Sequence, residues 1–163
     1  MEKQKLNELE KLKKDYEEIR KKYSLPEFKK LAEEFDIEKI SERDSSFLLR
    51  DIRRTMGEKL SAYLHLFEIF LNPANPPMFI YSMLKNLSDS EKQKIKQLYK
   101  TISKFEIAIM KLDTIYNEKE EAEFIKNTFA EWNGFKKEIF SILNECEKKF
   151  DKESNSEAKG YFG

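Results

Sequence analysis

Valine is absent from this 163-residue chain, and only four glycines occur, two of them within the last four residues. Because valine is enriched in strands and glycine in the tight turns of β-hairpins, the sequence is poorly suited to an all-β fold. The single cysteine, Cys146, excludes an internal disulfide, and no signal-peptide pattern follows Met1, so we expect a cytoplasmic protein. No apolar stretch approaches the roughly 20 residues of a membrane-spanning helix, so we expect no membrane partner.

The chain also has few residues that carry chemistry. His65 is the only histidine, so no second histidine exists to pair with a serine or cysteine nucleophile. Cys146 lies on an apolar helical stripe, where a thiol stays protonated and unreactive. Four scattered glycines do not form a phosphate-binding loop. We therefore expect no enzymatic activity, no cofactor and no metal.

The chain is rich in charged residues, with equal numbers of each sign, and in apolar residues at helical spacing. Lysine and arginine total 31, as do aspartate and glutamate, so the surface exerts no net long-range attraction on polyanions. Near the C-terminus, apolar residues repeat at alternating steps of three and four, which is typical of helices burying one stripe. The repeat changes phase near Asn117, which predicts two helices. The two stripes are Ile95, Leu98, Ile102, Phe105, Ile109, Leu112, Tyr116 and then Ala122, Ile125, Phe129, Trp132, Ile139, Leu143, Cys146, Phe150.

The same pattern predicts helices along the whole chain. We expect an all-α antiparallel bundle of four long helices and two short ones, with coiled-coil-like packing. The long helices are predicted near residues 2–23, 45–71, 89–116 and 118–150, and the short ones near 25–35 and 78–87. Capping boxes are predicted at Ser24–Glu27 and Ser88–Glu91, and an N-cap at Asn117. We expect one domain over residues 1–153 and a polar tail over 154–163.

Four of the five arginines fall within twelve residues, whereas lysine is the usual cation elsewhere in the chain. The guanidinium group holds carboxylate or phosphate through two parallel hydrogen bonds, so the cluster predicts an anion- or partner-binding site. The alternative is internal ion pairing with Asp44, Asp51, Glu58 or the acidic first helix. The cluster comprises Arg43, Arg50, Arg53 and Arg54.

A second basic feature recurs at four-residue spacing along the predicted fifth helix. Lys92, Lys96, Lys100 and Lys104 lie roughly on one side, with no acid between Glu91 and Phe105. With the arginine cluster, they suggest a nucleic-acid-associated protein that uses residues 43–54 and 92–104. Against this, we expect acids of an antiparallel last helix to neutralise the lysines.

His65 and Glu68 raise the hypothesis of a ligand- or metal-binding bundle, with Glu106 and Asp113 as further oxygen donors. A di-metal carboxylate bundle requires two Glu-x-x-His motifs, whereas here the order is reversed and the histidine is alone. The alternative is a hydrogen-bonded histidine in the core, and this is our expectation.

The apolar segment after the prolines at 73, 76 and 77 is the remaining candidate for a contact surface. It would form either an exposed patch for a partner protein or a lid over the end of the bundle. Tyr161 and Phe162, between glycines, are either a short docking motif or a frayed end. Together these features favour a non-enzymatic protein–protein interaction or scaffold module, with a homodimer through the first helix as a further possibility. The partner-binding candidates are Met78, Phe79, Tyr81, Met83, Tyr161 and Phe162.

Overall fold

The computed structural model describes the backbone of residues 2–42, 46–74, 76–85 and 87–160, and the side chains of those between 6 and 151. It confirms the all-α helical bundle, with no strand in these ranges. Four helices are long and two are short, as predicted, and a 3-10 helix spans Ile37–Glu42. The helices are α1 (Glu2–Tyr23), α2 (Phe28–Phe35), α3 (Leu48–Leu71), α4 (Met78–Lys85), α5 (Asp89–Thr114) and α6 (Glu118–Gly160).

Two of the three predicted helix starts are confirmed. The backbone N–H of Ser88 donates to the Glu91 carboxylate at 2.6 Å, and the Glu91 N–H donates back to the Ser88 hydroxyl at 3.3 Å. At the start of α6, the Asn117 side-chain oxygen accepts from the N–H groups of Lys119 and Glu120 at 3.1 and 3.2 Å. These bonds satisfy donors that have no partner inside the helix.

The predicted capping box at Ser24 is wrong. Ser24 takes a left-handed backbone conformation, with φ of 55°, just after α1 ends. The next helix begins four residues later at Phe28, and Glu27 at its N-cap makes no capping side-chain bond. The last helix is also longer than predicted, because its backbone continues to Gly160, through a sequence without proline or internal glycine beyond Gly134.

The described residues divide into two compact units, and the single domain expected over 1–153 stays a prediction. Unit 1 comprises residues 1–61 and 104–132. In it, the Tyr16 hydroxyl donates to the Pro26 carbonyl at 2.6 Å, and the Trp132 indole N–H donates to the Glu34 carboxylate at 2.6 Å. Burial raises the pKa of the Tyr16 hydroxyl. The core of unit 1 also contains Leu31, Phe35, Ile37, Leu49, Ile52, Met56, Leu60 and Ile125.

Unit 2 comprises residues 62–103 and 133–163. The Ser88–Glu91 box lies here, and Lys149 donates a hydrogen bond to the same Glu91 carboxylate. Cys146 is fully buried, and burial raises the pKa of its thiol, which keeps it protonated. The core of unit 2 is apolar and contains Phe67, Phe70, Ile80, Leu87, Ile95, Leu98, Ile102, Phe135, Ile139 and Ile142.

Candidate functional site

The arginine cluster lies in unit 1 and its centre is internal. Arg53 is fully buried on α3, and its Nε donates to the equally buried Glu121 carboxylate at 2.6 Å. Its Nη2 donates to Asp113 at 2.8 Å, and the exposed Arg54 contacts the same Asp113 oxygen at 3.5 Å. Arg43 lies outside the described residues. One arginine of the predicted site is therefore occupied by carboxylates of α5 and α6.

Ion pairing in this cluster shifts the pKa values of Arg53 and Asp113. Burial opposes the charged form of Arg53, but its hydrogen bonds to Glu121 and Asp113 outweigh that effect and raise its pKa. The bond from Arg53 lowers the pKa of Asp113, with a smaller contribution from the nearby charge of Arg54. Arg53 and Asp113 therefore stay ionised at neutral pH, and their ion pair joins two helices.

Arg50 packs differently, against aromatic rings. Its guanidinium carbon lies 4.7 Å from the ring centre of Tyr116 and 5.2 Å from that of Phe47. Its Nε is 3.8 Å from a Glu121 oxygen, which is an ion pair without a hydrogen bond. Arg53 Nη1 also has no hydrogen-bond partner among the described residues. The described carboxylates therefore do not satisfy every donor of the cluster.

Sequence reasoning identified the arginines but not the carboxylates that meet Arg53. Glu121 is 68 positions away along the chain and Asp113 is 60 positions away, so local spacing carries no signal for either pair. The internal alternative predicted from the sequence comprises Asp44, Asp51, Glu58 and the acidic first helix, of which Asp44 lies outside the described residues. Asp51 has one buried oxygen without a hydrogen bond to any described residue.

The most exposed apolar surface of unit 2 is on α4. Met78, Phe79 and Tyr81 are 81%, 56% and 55% exposed, and we call these three residues the α4 surface. Ile80 between them is buried and fixes the helix to its unit. Met83 is half-buried. The other apolar candidates, Tyr161 and Phe162, lie outside the described residues.

The lysines of α5 are exposed, and most have no ion pair in the described part of the chain. Lys92 approaches Asp89 at 3.8 Å, whereas Lys94, Lys96 and Lys100 make no ion pair with any described residue. The neutralisation expected from acids of α6 stays a prediction at these three lysines, because the side chains of α6 beyond residue 151 lie outside the described ranges. One lysine of α6 does form an ion pair with α5, because Lys149 binds Glu91.

The structure does not support the hypothesis of a ligand- or metal-binding site around His65. His65 is exposed on α3, so the expectation of a core histidine is wrong as well. Asp113 is bound to Arg53, and Glu106 accepts a hydrogen bond from Ser61. No group of three potential metal-ligating side chains occurs among the residues the structure describes.

One concave feature of unit 1 has no counterpart in the sequence analysis. A cleft of about 740 Å³ lies beside α1, and we call it the α1 cleft. Its wall gathers residues from three distant parts of the chain, so no local motif predicts it. The described lining residues are Glu8, Lys11, Leu12, Asp15, Ile19, Ile40, Ser41, Glu42, Ser46, Phe47, Leu48, Leu49, Tyr116 and Glu118.

Comparison with known proteins identifies no family for this chain. No protein-family model matches the chain, and neither a curated protein nor a solved structure shows significant similarity to it.

Proposed function

We propose that the protein is a non-enzymatic interaction module that binds a partner protein through the α4 surface. The observation that carries this proposal is the exposure of Met78, Phe79 and Tyr81 on one short helix. Contiguous exposed apolar side chains are unusual on a monomer and mark contact surfaces. The partner we expect presents an apolar surface of its own, because α4 carries no charge before Lys85 at its end.

The composition of the α4 surface suits recognition. Aromatic side chains bury large areas on contact, and each contributes about 1.5–3 kcal/mol when fully covered. Methionine adapts to irregular surfaces because its side chain is unbranched and polarisable. Since Ile80 holds α4 in place, the three exposed side chains lose little further backbone freedom on binding.

The test is purification of the tagged protein from its native cells, with quantification of what co-purifies. The variant Phe79→Ser/Tyr81→Ser removes the aromatic part of the α4 surface. Phe140→Ser is the matched control, since Phe140 is 67% exposed on α6 of the same unit. We expect a stoichiometric protein that is retained by the wild type and the control and lost from the double variant. Equal recovery with all three proteins would refute the proposal.

A second candidate function is nucleic-acid association through α5. The observation that favours it is that Lys94, Lys96 and Lys100 are exposed and form no ion pair with the part of the chain that the structure describes. The other half of the composite surface proposed from sequence is weakened, because Arg53 is buried and Arg54 contacts Asp113. Lysines alone would give electrostatic binding without base specificity.

Binding of labelled duplex DNA and single-stranded RNA, measured at several salt concentrations, tests this second candidate. For duplex DNA, each phosphate contact contributes about 0.9 to the slope of log affinity against log salt. Lys96→Glu/Lys100→Glu should lower both the affinity and that slope, whereas Lys136→Glu/Lys137→Glu on α6 should change neither. Absence of binding at low salt would remove the candidate.

A further inference from the structure

The outer side of α5 in unit 1 exposes apolar side chains, whereas its inner side contributes to the core. Ile107 and Met110 are 54% and 66% exposed, and because they are three residues apart they lie on the same side of the helix. On the inner side, Leu112 is buried, and the Phe105 ring lies 6.0 Å from that of Phe124 on α6. The outer apolar pair is therefore open to solvent.

Two lysines border Ile107 on this outer side. Lys104 precedes Ile107 by three residues and Lys111 follows it by four, so the three side chains follow one line along the helix. Both lysines are exposed, and neither makes an ion pair with any residue that the structure describes. Their charges are therefore available to a partner. We call Lys104, Ile107, Met110 and Lys111 the α5 face.

Two acids border Met110 on the other edge of the α5 face, but both are already bound by α3. Glu106 accepts a hydrogen bond from Ser61, and Asp113 accepts one from Arg53 at 2.8 Å. The α5 face is thus basic along one edge and acidic along the other, and its uncompensated charges are those of the basic edge.

This arrangement of charges selects the kind of partner. A nucleic acid or an anionic membrane is negative over the whole surface that it presents, so it would meet Glu106 and Asp113 as well as the lysines. Base stacking also requires aromatic side chains, and the α5 face has none. A helix differs along its two edges, so its apolar stripe can cover Ile107 and Met110 while acids on one edge meet the lysines.

A second copy of this chain is a poorer occupant of the α5 face. The acids of α5 that could meet the lysines, Glu106 and Asp113, are engaged by α3 of their own chain. From Lys104 to Lys111 the face is only about 10 Å long, at 1.5 Å per residue. It therefore buries far less than the roughly 800 Å² per partner of a stable dimer, and a contact of this size suits transient binding.

We propose that the α5 face binds an amphipathic helix of a partner protein that has acidic residues along one edge of its apolar stripe. The stripe covers Ile107 and Met110, and two acids seven residues apart reach Lys104 and Lys111. The α5 face lies in unit 1 and shares no residue with the α4 surface. Failure of one proposal therefore leaves the other standing.

The test uses two fluorescein-labelled peptides, each about 21 residues long, with leucine at heptad positions a and d and one charged residue per heptad at position e. The charged residue is glutamate in the first peptide and lysine in the second. Anisotropy gives the affinity of both peptides for the wild type, for Lys104→Glu/Lys111→Glu and for Lys119→Glu/Lys126→Glu. Lys119 and Lys126 are the matched control, because they are exposed and seven residues apart on α6 in unit 1, with no exposed large apolar residue between them.

We expect the wild type to bind the glutamate peptide one-to-one and at least about tenfold more tightly than the lysine peptide. Lys104→Glu/Lys111→Glu should reverse this preference, because the lysine peptide then meets two acids. Lys119→Glu/Lys126→Glu should keep both affinities within about twofold of the wild type, although it changes the net charge equally. Ile107→Ser/Met110→Ser should weaken the binding of both peptides.

Several results would overturn the proposal. Equal loss in both lysine variants would mean that the peptides respond only to overall charge, and unchanged binding in Ile107→Ser/Met110→Ser would exclude the apolar contact. Absence of binding at millimolar peptide would exclude the site. Dimerisation in sedimentation velocity, or co-sedimentation with phosphatidylserine vesicles, that Lys104→Glu/Lys111→Glu abolishes would assign the α5 face to a second copy or to a membrane instead.

Discussion

At the scale of single residues, the buried pair of Arg53 and Glu121 is the least replaceable feature of unit 1. Both side chains are fully buried and joined by a 2.6 Å hydrogen bond. The attraction of such a pair only offsets the cost of removing both charges from water. Loss of one partner leaves the other buried charge only partly compensated, by Arg50 for Glu121 or by Asp113 for Arg53, so single substitutions have large effects.

We expect Arg53→Met to lower the free energy of unfolding by about 3 kcal/mol, because the buried Glu121 would lose its hydrogen-bonded partner and keep only the weaker ion pair with Arg50. The double variant Arg53→Met/Glu121→Leu should recover most of that loss, since neither charge is then buried. Urea denaturation followed by circular dichroism measures both values. A loss below about 1 kcal/mol in the single variant would contradict the buried pair.

Glu91 gives unit 2 a pH-dependent contribution to stability. Burial opposes ionisation of this carboxyl, but hydrogen bonds from Lys149 and Ser88 outweigh it and lower its pKa from 4.5 to about 2. A lowered pKa stabilises the folded state above the unfolded value, and this stabilisation is lost as pH falls from 4.5 towards 2. We expect the stability difference between wild type and Glu91→Gln to be constant from pH 7 to 5 and to shrink by pH 3. Urea titrations of both proteins at each pH provide the measurement, and a stability difference that stays the same from pH 7 to pH 3 would contradict this role of Glu91.

At the scale of helices, two glycines in helix interiors have different surroundings. A Cβ at Gly57 on α3 would lie 2.9 Å from the Ile109 side chain of α5, whereas a Cβ at Gly134 on α6 would meet nothing within 4 Å. Gly57 therefore leaves room for the Ile109 side chain, and Gly134 only lowers helix propensity.

The same substitution at both glycines separates packing from propensity. We expect Gly134→Leu to raise the free energy of unfolding by about 0.5–1 kcal/mol, because leucine is the better helix former. Gly57→Leu should lower it by about 1–3 kcal/mol through overpacking against Ile109. Thermal and urea denaturation of the two variants provide the comparison. Equal effects at both positions would refute the tight packing of the Ile109 side chain against Gly57.

Most helix boundaries were predictable because their signals are local. Ser88 and Glu91 are three residues apart, and the prolines at 73, 76 and 77 follow the end of α3 directly. The error at Ser24 arose because serine also accepts the left-handed conformation that ends a helix. The partners of Arg53 were not predictable because they lie 60 and 68 positions away along the chain, and the α1 cleft was not predictable because it combines three separate parts of the chain.

At the scale of the whole molecule, the net charge is zero, but individual surfaces differ in charge and hydrophobicity. The α4 surface is apolar, the exposed side of α5 is rich in lysine, and four of the five described charged residues that line the α1 cleft are acids. Composition gives only the sum of the charges on these surfaces. The balanced composition therefore predicts weak long-range attraction of polyanions, but it does not predict local contacts. No helix in the described ranges is long and apolar enough to cross a membrane.

The most direct test of the interaction-module proposal is photo-crosslinking in the native cells. A photoreactive phenylalanine analogue is placed at position 79 in one sample and at position 140 in another. We predict one discrete adduct with another protein from position 79 and none from position 140. The absence of an adduct at position 79, or the same adduct from both positions, would contradict the proposed role of the α4 surface.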